Sequence, residues 1–393
     1  MNSPLIVGRS NYVMSTQPTT AIHQTLLCRA SRLRDQGKGR VVSFSPKVFL
    51  PLTRLCRDLC SYCVFRQSPG SRTSLFMSPE EVLAVAQKGE KSGCREALLV
   101  LGERPEERYL EARRWLKQYG YDSTLEYLHT ICRLLIKETS LYPHSNAGTL
   151  TRLELQALKD VNVSLGLMLE GTSSRLSGPG GPHERAPSKR PQARLRTLQI
   201  AGELNIPMTT GLLIGIGETS QERRKDLHLI RKLHQRYGHI QEVIIQNFRA
   251  KPGTPMKGAP ELSTEEALET VAQARIILGP HMNIQVPPNL SFSLGDPRYL
   301  EFLDAGINDW GGISPVTIDY VNPEAPWPHL SQMHREMQQK KFQLKARFPI
   351  YPEYIREKSN YLPITLRKRL GADADPQGFL PQAEIQWLLE DRQ

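Results

Sequence analysis

About eight strand-like runs alternate with helical runs between residues 41 and 312. This predicts an α/β chain folded as a TIM-like (β/α) barrel, complete or nearly complete, with an N-terminal arm and a C-terminal extension. Three observations carry the prediction. The alternation itself implies βαβ units and a parallel sheet. Eight such units need about 250 residues, and the alternating span of the 393-residue chain supplies them. Third, one strand-like run after another ends in charged or amide residues beside glycine or proline: LGERPE (101–106), PHSNAG (143–148), MLEGTS (168–173), LIGIGET (213–219), IQNFRAKP (245–252), VPPNLS (286–291) and NDWGGISP (308–315). Parallel barrels do their chemistry at the C-terminal ends of the strands. These ends therefore predict a pocket for a polar ligand. The implied divisions are an arm over 1–38, the barrel over 39–315 and an extension over 316–393 that packs on the barrel or caps it.

The elements follow in order. The arm carries one helix near Thr20 to Arg34, and VVSFSPKVFLPLT gives a first strand near 41–50. In SPEEVLAVAQKGEKSG, Ser78 is a good N-cap, Pro79 fits the first helical position, Glu81 closes a capping box and Gly93 ends the helix. REALLVLG reads as a buried strand. Helices follow over about 105–118 and from Ser123 to about Lys137, broken at Gly120. The rhythm continues with strand 139–145, helix 150–160, strand 163–170, helix 193–204, strand 208–215, helix 219–237 and strand 242–248. Helix 264–278, strand 283–288, a short helix near 297–305 and a last strand near 306–312 complete the barrel. The C-terminal stretch is rich in Lys, Arg, Pro and Trp.

Composition fits a globular protein: 39% apolar and 23% charged residues, enough chain for a full core, and no apolar run near the ~18 residues that cross a bilayer. The first residues have no secretory pattern. They are Ser/Thr/Arg-rich, with Asp35 as the single acid before residue 40, which leaves an organellar presequence open. A cytoplasmic, reducing location is expected, where clustered cysteines bind metal more often than they pair. The net charge of +11 permits nucleic-acid binding. The densest basic groups, Arg190 to Arg196, Arg223 to Lys232 and Lys340 to Arg347, lack aromatic interleaving. They read instead as solvated helix faces or as attraction for small anions.

Half of the six cysteines, Cys56, Cys60 and Cys63, sit in one C-x3-C-x2-C run directly after the first strand. Three soft donors so close can converge on one metal centre. A structural zinc would need a fourth ligand, and the next histidine is His129. Iron–sulfur clusters usually take four cysteines, so three would leave one iron of a 4Fe–4S cluster open to a ligand. Cys28, Cys94 and Cys132 stand alone and are expected to be small buried hydrophobes. A non-catalytic cluster protein is the other class, and it would need a fourth cysteine ligand.

The run C-x3-C-x-(aromatic)-C, with Tyr62 as the aromatic, resembles the signature of the radical S-adenosylmethionine (radical SAM) enzymes. That resemblance implies a 4Fe–4S cluster, one per chain, on Cys56, Cys60 and Cys63. It also implies S-adenosyl-L-methionine on the open iron, Tyr62 by the adenine, and cleavage to a 5′-deoxyadenosyl radical by an electron from an external donor. The resemblance extends through CRDLCSYCVF, HERAPSKRPQARL, AGELNIPMTTGLLIGIGET, GHIQEVIIQNFRAKPGTPM and WGGISPVTIDYVNPEAPWP, over about 45–330, to the CofG-type subunit of the deazariboflavin synthases. For that family the implied reaction is hydrogen abstraction from the 5-amino-5-(4-hydroxybenzyl)-6-(D-ribitylimino)uracil adduct, then cyclisation and ammonia loss, forming the deazaflavin chromophore. A CofH-type synthase subunit, as a separate chain, would make the adduct from tyrosine and a ribitylaminouracil. The alternative is another radical SAM enzyme, biotin-synthase-like or RNA-modifying.

Further candidates lie at the strand ends. Gly102 and Glu103 match the family segment that holds the methionine amino group. Glu170 could accept from ribose hydroxyls, as an acidic residue beside a ribose does. An arginine can fork onto a carboxylate, and resemblance to the ERL-type segment of the biotin-synthase-like branch implies that Arg194 holds the methionine carboxylate, with Arg196 as competitor. Gly215 and Gly217, in GIGET, lack the third glycine of a dinucleotide loop but let backbone approach a ligand closely. Gln246 and Asn247 could read adenine. His144, Asn146, Asp309 and Thr317 are the substrate-side candidates.

Overall fold

The first strand, β1 (Val41–Thr53), is buried at every position after Val41 and forms the seam of the structure. In this computed structural model, which describes residues 18–70, 74–290 and 297–389, β1 has neighbours on both sides. Its C-terminal part pairs in parallel with β2 (Glu96–Leu101). The sheet then runs through β3 (Tyr142–Asn146), β4 (Ser164–Gly166), β5 (Met208–Ile214), β6 (Ile240–Asn247), β7 (Asn283–Gln285) and β8 (Asp309–Ile313). β8 returns to β1 at Ser43, Ser45 and Pro46, so eight parallel strands close a barrel. Proline removes a ladder donor, and β1 carries Pro46 and Pro51. The register shifts between Pro51 and Thr53 and, on the β8 side, between Ser43 and Ser45.

The helices between strands cover the outside. They are α1 (Pro18–Lys38), α2 (Pro79–Lys91), α3 (Leu110–Gln118), α4 (Thr124–Glu138), α5 (Arg152–Lys159), α6 (Ser174–Ser177), α7 (Pro191–Glu203), α8 (Ser220–Tyr237), α9 (Thr264–Leu278) and α10 (Glu301–Asp304). The capping box at Ser78 and Glu81 forms as read from sequence, and equivalent boxes start α5, α8 and α9. Val48, Leu50 and Leu52 belong to one core with Val82 and Ala86 of α2. Gly89 lets α2 press against β1, since a Cβ there would lie 2.8 Å from the Cβ of Val48.

Several expected boundaries move. The helix expected from 105 begins as a 3-10 turn, Pro105–Glu107, and becomes α3 only at Leu110. β4 and β7 are three residues each, because their chains leave the ladder early. Residues after Gly166 continue irregularly to Glu170, which rejoins β5 through a lone bridge to Leu212. The arm helix is longer than expected, and residues 1–17 lie outside the described residues.

The C-terminal residues build α11 (Leu330–Gln339), β9 (Gln343–Ala346), α12 (Pro352–Arg356), α13 (Ile364–Asp373) and α14 (Gln382–Leu389). β9 adds to the start of β1, from Val41↔Gln343 to Phe44↔Ala346. The chain then passes beneath the barrel. Arg347 donates to Asp309 at 2.7 and 2.9 Å and to Glu242 at 3.0 Å. The carbonyl of Pro349 accepts from Gln241 at 3.2 Å and from Ser164. Tyr351 donates its hydroxyl to Glu242 at 2.8 Å. These contacts plug the N-terminal end and leave the opposite end for the site. No helix among the described residues is long and apolar enough to cross a membrane.

Candidate active site

Directly after β1 the chain turns into the cysteine loop, and backbone bonds from several elements fix its path. Arg57 N donates to Glu103 O at 2.8 Å, Leu59 N to Arg185 O at 2.9 Å and Ser61 N to Pro182 O at 2.9 Å. Arg54 reaches back to the carbonyls of Phe65 and Val64 at 2.7 and 3.0 Å. Buried Asp58 accepts from the Ser188 hydroxyl, tying the loop to the segment before α7. Gly102 is required where the end of β2 passes under the loop. A Cβ there would lie 1.9 Å from Leu55 O and 2.7 Å from the Cβ of Cys56.

Cys56, Cys60 and Cys63 are half-buried free thiols at one end of a cavity of about 370 Å³. Cys56 Sγ accepts from Glu103 N at 3.2 Å. Burial pushes the Cys56 thiol up to about 12, helped by Asp58. Burial does the same to Cys60, to about 12, against the pull of Lys189. Thiols held up in this way ionise when a metal replaces the proton. Among the described residues, no three His, Cys, Asp or Glu side chains gather closely enough for a single ion. A cuboidal cluster asks for something different, because each thiolate takes a separate iron and the sulfurs stand apart. The donor set, three soft sulfurs around one cavity mouth, fits a 4Fe–4S cluster.

The other expected residues divide in two. Tyr62, Gly102, Glu103, Glu170, Arg194 and Gln246 line the same cavity, with His144 and Asn146 deeper in the barrel. Tyr62 Oη meets His183 Nε2 at 3.0 Å. The Glu103 carboxylate accepts from Thr149, at 3.1 and 3.2 Å from N and 2.6 Å from Oγ1. Glu170 sits at φ 65° and is ion-paired with Lys189, whose charge together with that of Arg194 overcomes the burial that would raise its carboxyl and holds it below the usual range. Arg194 is buried, donates to Met168 O and leaves its Nε without a hydrogen-bond partner, whereas Arg196 is exposed. Arg194 lies on the cavity wall and Arg196 does not.

Gly215, Gly217, Asn247, Asp309 and Thr317 are not on the cavity wall. Gly215 and Gly217 have φ of 95° and 114° and shape a turn whose amides, at Gly215 and Ile216, bond Glu218 at 2.7 and 2.9 Å. Asn247 donates to Leu290 O at 3.1 Å. Asp309 is wholly buried under the floor with Arg347. Thr317 accepts from Phe49 N at 3.0 Å. The isolated cysteines also divide: Cys94 and Cys132 are buried as expected, but Cys28 is exposed on α1.

Lys47, Glu96, Lys189, Glu242, Gln285, Trp327 and Arg347 also line the cavity and were not singled out from sequence. Lys47 had a signal: it is the one charged residue within the apolar run of β1. Arg347 had none, since its partners lie 38 and 105 residues away.

Comparison with known proteins places these features. A model of the radical SAM superfamily matches residues 50–230. The 7,8-didemethyl-8-hydroxy-5-deazariboflavin synthase of Methanopyrus kandleri is 54% identical over 316 residues, covering 80% of this chain and 93% of that protein. FO synthases of Streptomyces avermitilis and Mycobacterium tuberculosis are 46% and 45% identical over 91% and 89% of this chain, which spans only 42% of their length. Two solved structures share the fold. The hydrogenase maturase HydG of Carboxydothermus hydrogenoformans has a TM-score of 0.67 at 19% identity, over 94% of this chain and 87% of that one. Methylornithine synthase has 0.63 at 16%, over 82% and 89%. The identity to the Methanopyrus protein, along almost all of its length, means that this chain belongs to the 7,8-didemethyl-8-hydroxy-5-deazariboflavin synthase family of radical SAM enzymes.

Proposed function

We propose that this chain performs the CofG-type half of deazaflavin formation. Its substrate is the 5-amino-5-(4-hydroxybenzyl)-6-(D-ribitylimino)uracil adduct. Abstraction of one hydrogen atom, ring closure, loss of ammonia and loss of a second hydrogen, as a proton and an electron that would pass back to the cluster, would turn it into 7,8-didemethyl-8-hydroxy-5-deazariboflavin. The adduct comes from a CofH-type synthase on a separate chain, and the electron from an external donor. When bound, the cluster and S-adenosyl-L-methionine supply the deoxyadenosyl radical that begins the reaction.

The remaining work belongs to the protein. Cys56, Cys60 and Cys63 hold one cluster per chain. Glu103, kept in place by Thr149, receives the methionine ammonium, and Arg194 pairs with the methionine carboxylate. Tyr62 and Gln246 bracket the adenine, and Glu170 accepts from the ribose. The 215–218 turn and Asn247 support that end from behind. His144 and Asn146 face the substrate, while Asp309 holds Arg347 beneath the floor and Thr317 holds the Phe49 amide.

One observation carries this reading. The cavity beginning at the three thiols continues down the barrel to a polar floor, so the cluster at its upper end and a polar ligand along its wall can meet in one cleft. The relatives do not favour a biotin-synthase-like or RNA-modifying enzyme. The test is anaerobic reconstitution with iron and sulfide, then reductant, S-adenosyl-L-methionine and the adduct. Fluorescent deazaflavin is expected. Cleavage of S-adenosyl-L-methionine without deazaflavin would refute the substrate.

A further inference from the structure

Lys47 stands out among the cavity residues. It lies six residues before Thr53, so about 20 Å of strand separates it from the cysteine loop at ~3.3 Å per residue. Only 8% of its surface is exposed. Its side chain stretches across the cavity-lining backbone of Gly312, where a Cβ would lie 2.7 Å from Nζ. Glu96 is its register partner on β2, yet the two form no ion pair among the described residues. Glu96 instead accepts from the Ser45 hydroxyl. Among the described residues the Lys47 ammonium has no ion pair or hydrogen bond; it lies 4.7 Å from the Trp327 ring centroid and 5.6 Å from that of Phe49.

Lys47 Nζ is not among the fully enclosed polar atoms that lack a partner, so the ammonium opens onto the cavity, where a ligand can reach it. Burial lowers its pKa, and Glu96, Asp319 and Glu242 only partly offset this. Proteins keep such a group where a ligand completes it. The ligand must present oxygen acceptors, because an ammonium only donates. It must also reach the floor while its other end stays near the cysteines.

We propose that Lys47 docks the substrate, its ammonium donating from the barrel floor to a carbonyl or hydroxyl oxygen of the ring–ribityl moiety. This rests on the function proposed above. Trp327, from the C-terminal extension, holds the ammonium in position. Glu96 stands beside it as an acceptor for a neighbouring N–H or O–H of the same ligand. Lys47 is a substrate-binding residue and takes no part in holding S-adenosyl-L-methionine.

The test uses the reconstituted full chain and Lys47→Met, which keeps the length of the side chain and removes its charge. The variant is expected to raise KM for the adduct roughly ten- to hundred-fold, the range for a lost charge-assisted hydrogen bond. Iron content and the spectral response to S-adenosyl-L-methionine should not change. Without substrate the variant should melt close to the wild-type temperature, because no hydrogen bond within the described residues is lost. A purely structural lysine predicts the reverse: lower melting and an unchanged KM. Lys47→Gln repeats the measurement if the methionine variant folds poorly. An adduct analogue with methyl in place of ribityl separates the two oxygen sources. If the effect of the variant disappears with the analogue, the ribityl hydroxyls are the contact; if it persists, the ring carbonyls are. An unchanged KM, or an equal loss of the S-adenosyl-L-methionine response, overturns the proposal. Wild-type chain that makes no deazaflavin fails the functional reading instead.

Discussion

Gly148 shows how much of the site depends on single positions. It has φ of +78°, and a Cβ there would lie 1.8 Å from the Glu103 carboxylate. Gly148→Ala should push that carboxylate off Thr149 and raise KM for S-adenosyl-L-methionine about ten-fold, with iron content unchanged; titration of the cofactor against cleavage rate checks this. Cys60→Ala should reduce both iron binding and cleavage to background in metal analysis and assay, while the protein still folds. Spacing singled out the cysteines in the sequence, the family resemblance singled out Glu103 and strand-end position Glu170, and all five line the same cavity. Their partners were not legible there, because Thr149 is 46 residues from Glu103 and Lys189 is a lysine in a basic stretch with no local mark. Asp309 and Thr317 mislead for a related reason. A polar residue near a strand end can face the cavity, the floor or a backbone amide, and only the closed barrel decides which.

The element that sequence could not place is the C-terminal run through β9. QLKA is short and half polar, and its support comes from Val41–Phe44, some 300 residues earlier. Periodicity cannot reveal such a strand. Arg347 binds it to the barrel through two buried acids, so Arg347→Met leaves Asp309 and Glu242 unpaired. The expected cost is about 3–5 kcal/mol, read as a lower denaturant midpoint. The junction of α8 and β6 carries a pH signature. His239 is wholly buried, and burial, with His234 and Lys358 nearby, depresses it to about 3 from the ordinary 6.5. Above pH 6.5 it is neutral in both folded and unfolded chains, and its contribution to stability is complete. As pH falls below 6.5 the unfolded chain takes up a proton that the folded chain refuses until about 3. Melting temperature should therefore fall between pH 6.5 and 4, and His239→Gln should flatten that slope. A slope unchanged by the substitution would place the titrating group elsewhere.

In the whole molecule, barrel and extension divide the labour. The strand ends gather the thiols and the candidate cofactor residues around one cavity, and the residues beneath the barrel close the floor with charge. The alternation of strands and helices made this architecture legible, because each βα unit is encoded locally. The polar floor was not, since it is assembled from β1, β2, β6 and the C-terminal run. The chain aligns with less than half of each FO synthase. The central claim is that three cysteines hold a cluster with one iron left for S-adenosyl-L-methionine. Electron paramagnetic resonance of the reconstituted, reduced protein, with and without S-adenosyl-L-methionine, tests it most directly. About four irons per chain, a 4Fe–4S signal, and a clear change in that signal when the cofactor is added are expected. A signal indifferent to S-adenosyl-L-methionine, or a fourth protein ligand on the cluster, would contradict the claim.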